Sequence, residues 1–407
     1  MSTQKKREHN INRRNFIKIA SALGLAGNAL RQFTFGSDKT KNKVIYRRLG
    51  RTGIKIPVVS MGTGNCNNPS LVKTAYDRGI KLFATSEYYG NGNNERMLGE
   101  ALKDKPRDSY MIMTGAIGGL SIDYKQGLFK PGTDPEKYMV HVNGSLKRLQ
   151  TEYVDILSLG FGAKREFVMY EPIINALKQL KSEGKARYLG LATHSFEPEA
   201  IRAAVDAGIY DVVTVAYNFR KTNLDGLEEA LKYAASAGLG IIAMKTMAGA
   251  YWDKKKTKPI NAQASLKWVI RNKNIHTTIP DCANFDHLEK DLAIMDNPVL
   301  TKEEMKDLEL TAIKHPLGLY CQQCGKCMAQ CPEHIDIPTM MRSYMYAYGY
   351  RNLSLARRTA DLASTDRLPC IDCSQCSVDC TQGFRIREKI LDIARISEIP
   401  EDLIRNV

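Results

Sequence analysis

Eight of the chain's ten cysteines crowd into its last quarter, in the runs "CQQCGKCMAQCP" and "CIDCSQCSVDC". Both read C-x₂-C-x₂-C-x₃-C. Thiolates at this spacing wrap three corners of an iron–sulfur cube, and the fourth cysteine usually reaches the neighbouring cluster. The expected ligand sets are Cys321, Cys324 and Cys327 with Cys380, and Cys370, Cys373 and Cys376 with Cys331, for two 4Fe-4S clusters. Disulfides or zinc are the alternatives. Close C-x₂-C runs, repeated at one spacing, favour clusters over both. Pro332 follows the first run and Thr381 the second. The stretch from Pro332 to Pro369 reads as helical, so the expected module is a helical ferredoxin-like one rather than the compact β type.

A second group of polar residues closes apolar runs further upstream. "KLFATSEYYGNGNNERMLGEAL" (81–102) starts as a strand, ends as a helix, and carries Thr85, Ser86, Glu87, Tyr88 and Tyr89 between. His194, Asn218, Lys245, Asp281 and Cys282 end other apolar runs. His194 could donate to a substrate oxygen or simply bond backbone at its strand end. Lys245 could pair with Glu87 across a shared mouth, as part of a site or as a structural ion pair. Cys66 and Cys282 follow runs that become neighbours if the sheet closes, so a disulfide or shared ligand site is one expectation and two unrelated thiols the other.

The elements that must position these residues alternate regularly. From residue 44 to about 300 the strand candidates are "PVVSMGTG", "IKLFATS", "YMIMTGA", "VDILSLG", "ARYLGLATH", "VVTVAYN", "LGIIAMKTM" and "HTTIPDC". Helical segments such as "PIINALKQLKSEGK" and "LDGLEEALKYAASAG" follow them, several closing on a Gly suited to a C-cap. Eight units over roughly 250 residues predict a (β/α)₈ barrel, an α/β fold whose active face lies at the C-terminal strand ends. A doubly wound sheet is disfavoured, because no G-x-G-x-x-G follows the first strand. "VIYRRLGRTGIKI" reads as a hairpin plugging the barrel bottom. Two loops on the active face are long, 115–134 and 249–261. The second contains "DKKKTK", either a solvated charged loop or a clamp for an anionic substrate. The expected organisation is a signal at 1–36, the barrel at 44–300, a linking helix at 301–315, the ferredoxin-like module at 316–390 and a tail at 391–407.

The formal charge is +15, much of it local to the N-terminus. No basic stripe is interleaved with aromatics, so nucleic-acid binding is disfavoured. No run after residue 40 is apolar enough to span a bilayer. "NRRNFIKIASALGLAGNAL" places Arg13 and Arg14 before Phe16, Lys18 and an apolar run, and resembles a Tat signal peptide. A basic amphipathic helix is the alternative. Export through the Tat translocase predicts a periplasmic protein. That route suits a chain that folds and takes up oxygen-sensitive clusters in the cytoplasm.

"RRLGRTGIKIPVVSMGTG", "NPSLVKTAYDRG", "FATSEYYGNGNNERMLGEALK" and "SLKRLQTEYVDIL" resemble the aldo/keto reductase family, over about 44–300. With the cysteine runs, the chain is similar to that family's ferredoxin-containing branch. The resemblance implies NADPH-dependent carbonyl reduction by a Tyr, a Lys and an Asp that lower its pKa, and a His that orients substrate. Of these the Tyr maps to Tyr89. The Asp maps to Ala84, the Lys to Gly115 and the His to Gly160. The Ser-Asn pair that usually holds the nicotinamide amide maps near Ala192-Thr193, and the family's basic residues for the 2′-phosphate are absent from "IPDCANFDHLEKDL". Tyr217 could still stack on a flat ring.

The expectation is an exported iron–sulfur oxidoreductase. Electrons would come from a periplasmic or membrane donor through two 4Fe-4S clusters to a small carbonyl or sugar-like substrate, with NADPH unlikely. Tyr89 would give the proton, helped by Glu87, His194 or Lys245. A catalytically degenerate barrel serving as a binding or electron-carrier protein is one alternative. An NADPH reductase with an altered proton relay is the other.

Overall fold

The computed structural model describes residues 44–314, 318–363, 369–371, 373 and 376–404. The expected signal at 1–36 lies outside them. Eight parallel strands follow one another in chain order: β1 (Met61–Gly62), β2 (Leu82–Ala84), β3 (Met111–Thr114), β4 (Val154–Leu159), β5 (Ala186–Thr193), β6 (Val212–Ala216), β7 (Gly240–Met244) and β8 (Thr277–Thr278). Parallel bridges Val59–Thr278 and Gly62–Asp281 bring the first strand against the last and close the barrel. The expected (β/α)₈ fold is the observed one.

Helices α1 (Pro69–Asp77), α2 (Asn93–Leu102), α3 (Pro135–Leu149), α4 (Glu171–Ser182), α5 (Glu197–Ala207), α6 (Leu224–Ser236), α7 (Ala262–Ile270) and α8 (Phe285–Asp296) surround it. Side-chain caps start several of them. Asn68, Asp134, Asn261 and Asn284 each accept a backbone N–H of the first turn, satisfying donors that a helix start leaves unpaired. Apolar faces such as Leu227, Ala230, Leu231 and Ala234 of α6 then bury against the strands.

A hairpin, Tyr46–Arg48 paired with Lys55–Pro57, stoppers the end of the barrel where β7 begins. Its Leu49 and Ile56 join Leu82, Met111, Ile156, Val212 and Ile242 in the barrel's interior core. Gly50 has φ +50°, and a Cβ there would meet Gly240 N at 2.3 Å. Only glycine permits so close a seat.

Past the linking helix α9 (Lys302–Lys314), the C-terminal module is built on α10 (Ile337–Tyr348), α11 (Leu353–Leu362), α12 (Ile386–Ser397) and the short helix Glu401–Ile404. The module is helical, as expected. Helix α12 crosses the expected boundary at residue 390. Its Ile390, Ile393 and Ile396 belong to the module's core, together with Ile404, so the segment 391–404 is not a loose tail. The same core takes in Tyr88, Ala248, Trp252, Ile260, Leu319 and Tyr320. The module is therefore seated on the barrel's C-terminal mouth. The loop 249–261 straps it down. Lys254 pairs with Asp392 of α12, and Lys258 with Asp307 of α9. Two of the run's four lysines, Lys254 and Lys258, are tied to carboxylates of the helices they strap.

Candidate functional site

The mouth residues come from the ends of β2, β5, β7 and β8, as the fold demands. From above, α10 lays a nearly all-buried face over them. Every residue from Ile337 to Ala347 is buried, the mark of a helix enclosed on all sides. The contact is closest where the turn after α10 crosses the loop after β7. A Cβ on Gly349 would lie 2.4 Å from the Gly249 carbonyl oxygen.

Between α10 and the barrel sits a narrow cavity lined by His194, Lys245, Tyr320, Cys321, Arg342 and neighbours, with room for about one water molecule. His194 comes from the end of β5. Its Nδ1 is buried without a hydrogen-bond partner. Burial first, then Arg342, Lys245 and Lys221, hold its pKa well below the ordinary value, so the ring is neutral. An orphaned buried nitrogen facing a water-sized space is a ready partner for one oxygen atom.

Lys245 ends β7 with φ +57°. It does not reach Glu87. Its Nζ meets the Tyr346 hydroxyl of α10 at 2.6 Å and lies 4.3 Å from that ring's centroid and 5.6 Å from that of Tyr350. Glu87 turns the other way. It accepts from the Ile117 and Gly118 amides at 2.9 and 3.2 Å and meets His141 Nδ1 at 2.6 Å and Arg148 at 3.4 Å. Burial raises its pKa, but His141 and the two amides outweigh that and hold it below the usual value. Glu87 is thus an ionised organiser of the 115–134 loop, which folds back as a small hairpin, Ile122–Asp123 against Leu128–Phe129. The expected Glu87–Lys245 pair fails because a nearer basic cluster claims the carboxylate first.

Tyr89 is half-buried, its ring beneath Gly64. Burial, then Tyr346, Asp281 and Tyr88, all push its phenol pKa upward. No cation offsets them, so its electrostatics oppose the expected proton donor. Tyr88 is a docking residue. Its hydroxyl meets Thr359 Oγ1 at 2.9 Å, and Arg358 lies over its ring and donates to its carbonyl. Tyr217 is fully buried among helices. It donates to Glu228 at 2.5 Å and packs on Trp268, so it offers no ring face to the mouth.

Of the positions where the family's charged residues would map, Gly115 has no room for any side chain. A Cβ there would sit 2.4 Å from the Ser158 carbonyl oxygen. Gly160 opens on free space within 4 Å, and Ala84 lies in the barrel's interior core. Asp281, at the seam, accepts from the Asn65 backbone and side chain, and Asn65 in turn meets Asn352 of the module at 2.5 Å. Burial pushes the Asp281 carboxyl up to about 6, against the pull of Asn65 and Lys245. Cys66 and Cys282 are buried and unbridged. Each thiol donates to the carbonyl of a helix-capping asparagine, Asn68 at 3.6 Å and Asn284 at 3.5 Å.

The eight module cysteines form no disulfide. Burial first, and then mutual repulsion, raises the pKa of Cys321, through Cys324 and Cys380, and of Cys327, through Cys321, Cys324 and Cys380. Cys370 is raised by burial and by Cys331, Cys376 and Cys373. Cys321, Cys324, Cys327 and Cys380 thus lie within reach of one another, as do Cys331, Cys370, Cys373 and Cys376. Amide donors already point at sulfur, Gln323 N to Cys321 at 3.4 Å and Gln382 N to Cys380 at 3.5 Å. Among the described residues, no three side chains converge closely enough for a single metal ion. Two groups of four soft thiolates, the first with N–H donors to sulfur, fit the wider iron–sulfur cube.

The residues that spacing did not expose are Tyr346 and Arg342. Their one local signal is "IPTMMRSYMYAYGY", an aromatic and methionine-rich helix with a lone arginine and no solvent face.

Residues 67–264 match the aldo/keto reductase family, and 320–385 match the 4Fe-4S dicluster domain. The L-galactose dehydrogenase of Arabidopsis thaliana is 33% identical over 224 residues, which are 51% of this chain and 66% of that enzyme, just under two thirds of its length. A probable aldo-keto reductase of Glycine max is 29% identical over 258 residues, 58% of this chain and 71% of that one. An aldo-keto reductase from Bacillus halodurans, solved in its holo form, superimposes with TM-score 0.53 at 20% identity, over 66% of this chain and 96% of that one. One from Klebsiella pneumoniae, solved in complex with NADPH, gives 0.51 at 21%, over 67% and 95%. At these identities the two structures speak for the fold alone. The chain therefore carries an aldo/keto reductase family domain, with a 4Fe-4S dicluster domain seated on the mouth of its barrel.

Proposed function

We propose that this protein is an exported, periplasmic iron–sulfur oxidoreductase that reduces a small carbonyl or sugar-like substrate in its barrel without NADPH. The observation that carries the reading is the shared cavity. Cys321, a cluster ligand, and His194 and Lys245, barrel residues, line the same space. Cys321, Cys324, Cys327 and Cys380 would hold one 4Fe-4S cluster, and Cys331, Cys370, Cys373 and Cys376 the other. When bound, the clusters supply electrons one at a time. The protein's own residues manage the oxygen and the protons. The cavity as it stands admits about one water molecule, so substrate enters only as α10 shifts away from the barrel, and His194 Nδ1 then donates to the carbonyl oxygen. Tyr346, held at Lys245, gives it a proton, which replaces the expected role of Tyr89. The Lys245 ammonium sits where negative charge develops on that oxygen. Conversion of a carbonyl to an alcohol consumes two electrons and two protons, the proton on oxygen coming from Tyr346 and the one on carbon from water. The electrons come from a periplasmic or membrane donor, and the Tat translocase exports the folded chain.

The degenerate tetrad supports independence from NADPH. Gly115 cannot carry the family's lysine, Tyr217 faces away from the mouth, and the module covers it. A second reading, an NADPH reductase with an altered proton relay, draws on the family domain and on the Klebsiella pneumoniae structure with NADPH. One experiment separates them. Anaerobic, cluster-loaded protein is titrated with NADPH, following nucleotide fluorescence and cluster absorbance. It is then reduced with dithionite and mixed with glyceraldehyde. The proposal expects no NADPH binding and reoxidation of the clusters by the aldehyde. Tight NADPH binding with NADPH-dependent aldehyde reduction would replace it with the second reading.

A further inference from the structure

The cavity beneath α10 gathers positive charge that the surrounding protein leaves unanswered. Arg342 is 7% exposed. Its guanidinium meets neutral acceptors, Gln323 Oε1 at 3.3 Å and Thr339 Oγ1 at 3.2 Å. Lys245 meets a phenol and two ring faces. Lys245 is half-buried, and the more deeply buried lysines are paired, Lys221 with Glu197 and Lys267 with Glu304. Arg342 and Lys245 make no such ion pair among the described residues. Asp281 lies near enough to feel Lys245, but its hydrogen bonds go to Asn65. A buried charge without a counter-charge is costly to fold around, so a negative group is owed to this cavity.

The wall that can supply it is Cys321. Gln323 links the two, its backbone N–H donating to Cys321 Sγ at 3.4 Å while its side-chain oxygen accepts from Arg342. Four thiolates around an iron–sulfur cube carry net negative charge. Nearby charge, hydrogen bonds to sulfur and solvent exposure set the potential of such a group. The second set has one such cation, Arg387, acting on Cys370, while exposure does not separate the sets, since each carries one exposed cysteine, Cys324 in the first and Cys376 in the second.

We propose that Arg342 and Lys245 give the cluster held by Cys321, Cys324, Cys327 and Cys380 the higher reduction potential of the two. These cations would then set the direction of electron flow, from the cluster held by Cys331, Cys370, Cys373 and Cys376 to the one that borders the barrel cavity. The inference rests on the iron–sulfur reading above and adds a direction to it.

The test is an EPR-monitored potentiometric titration of the full-length, cluster-loaded protein, with iron content measured to confirm loading. Arg342→Gln is expected to lower the higher midpoint by at least tenfold in the one-electron equilibrium, about 59 mV, and to leave the lower one in place. Arg342→Lys should retain most of the wild-type value. Lys245→Met should lower the same midpoint by less, and Arg387→Gln should lower the other. If Arg342→Gln does not load its clusters, Lys245→Met decides. A higher midpoint that stays fixed when these cations are removed, or a shift confined to the lower one, overturns the proposal. No substrate enters the measurement. Failure of the loaded protein to reduce glyceraldehyde would sink the functional reading and leave this test standing.

Discussion

Both ends of the barrel are stoppered, by opposite chemistry. At the end where β7 begins, the hairpin presses Leu49 and Ile56 into an apolar core and seats Gly50 against Gly240. At the other end, α10 brings Arg342 and Tyr346, and the first cysteine loop brings Gln323, onto His194 and Lys245 around a water-sized cavity. The first closure is dry and gains from burial alone. The second encloses two unpaired cations and an orphaned imidazole nitrogen. A protein built only for stability would not place them there. The contrast separates a plug that serves the fold from one that serves chemistry.

The largest expected effect lies at the chemical end. Tyr346→Phe should cut carbonyl reduction by about 10²-fold or more, the usual weight of a positioned acid, while leaving the cluster EPR signals unchanged. Tyr89→Phe should change turnover only a few-fold, about 1 kcal/mol or less. Steady-state rates with a chemical reductant check both, and the reverse ranking would restore Tyr89 as the donor.

At the opposite end, Leu49→Ala should cost about 3 kcal/mol in denaturant unfolding, through lost burial and a cavity. It should leave both cluster midpoints where they are. A shift in either midpoint would mean that the two closures are coupled through the barrel.

Restoring the family's residues one at a time sharpens the comparison within the mouth. Gly115→Lys should destabilise by about 1–3 kcal/mol, because even its Cβ collides with the Ser158 carbonyl. Gly160→His should change stability by less than about 0.5 kcal/mol, because nothing stands within 4 Å. Thermal unfolding of the two variants reads the difference. Equal penalties would mean that the backbone at Gly115 gives way.

The smallest effect concerns the seam. The folded Asp281 carboxyl titrates at about 6, above the roughly 3.9 of a free aspartate. Between those values the folded chain keeps a proton that the unfolded chain has released. Stability should therefore fall as pH rises from about 4 to about 6. Two units at about 1.36 kcal/mol each bound the drop at roughly 3 kcal/mol, and partial exposure brings it nearer to about 1. Asp281→Asn should flatten the slope in that window, measured by urea unfolding at several pH values. An unchanged slope would assign it to other groups.

Local patterns carried the architecture. The alternation of β-branched runs with capped helices announced eight βα units, because each strand and helix is recognisable from its own periodicity. The cysteine spacing proposed three ligands of each set, because thiols within one loop are held together by chain length, while the fourth comes from the other run. Composition also placed His194 and Lys245 at strand ends on one face.

Pairing was the part left unread. Glu87 finds His141 and Arg148, more than fifty residues away, and no pattern in "ATSEYYG" distinguishes that outcome from a bond to Lys245. Tyr217 turns outward because Glu228 and Trp268 wait there. Tyr346 and Arg342 enter the barrel's mouth only because the module docks on it, burying α10 on every side. The sequence by itself determined which elements form and which thiols can share a cluster, since both depend on short-range spacing. The tertiary structure decided which side chains meet at the mouth, since contacts across a hundred residues depend on how two separately legible domains pack.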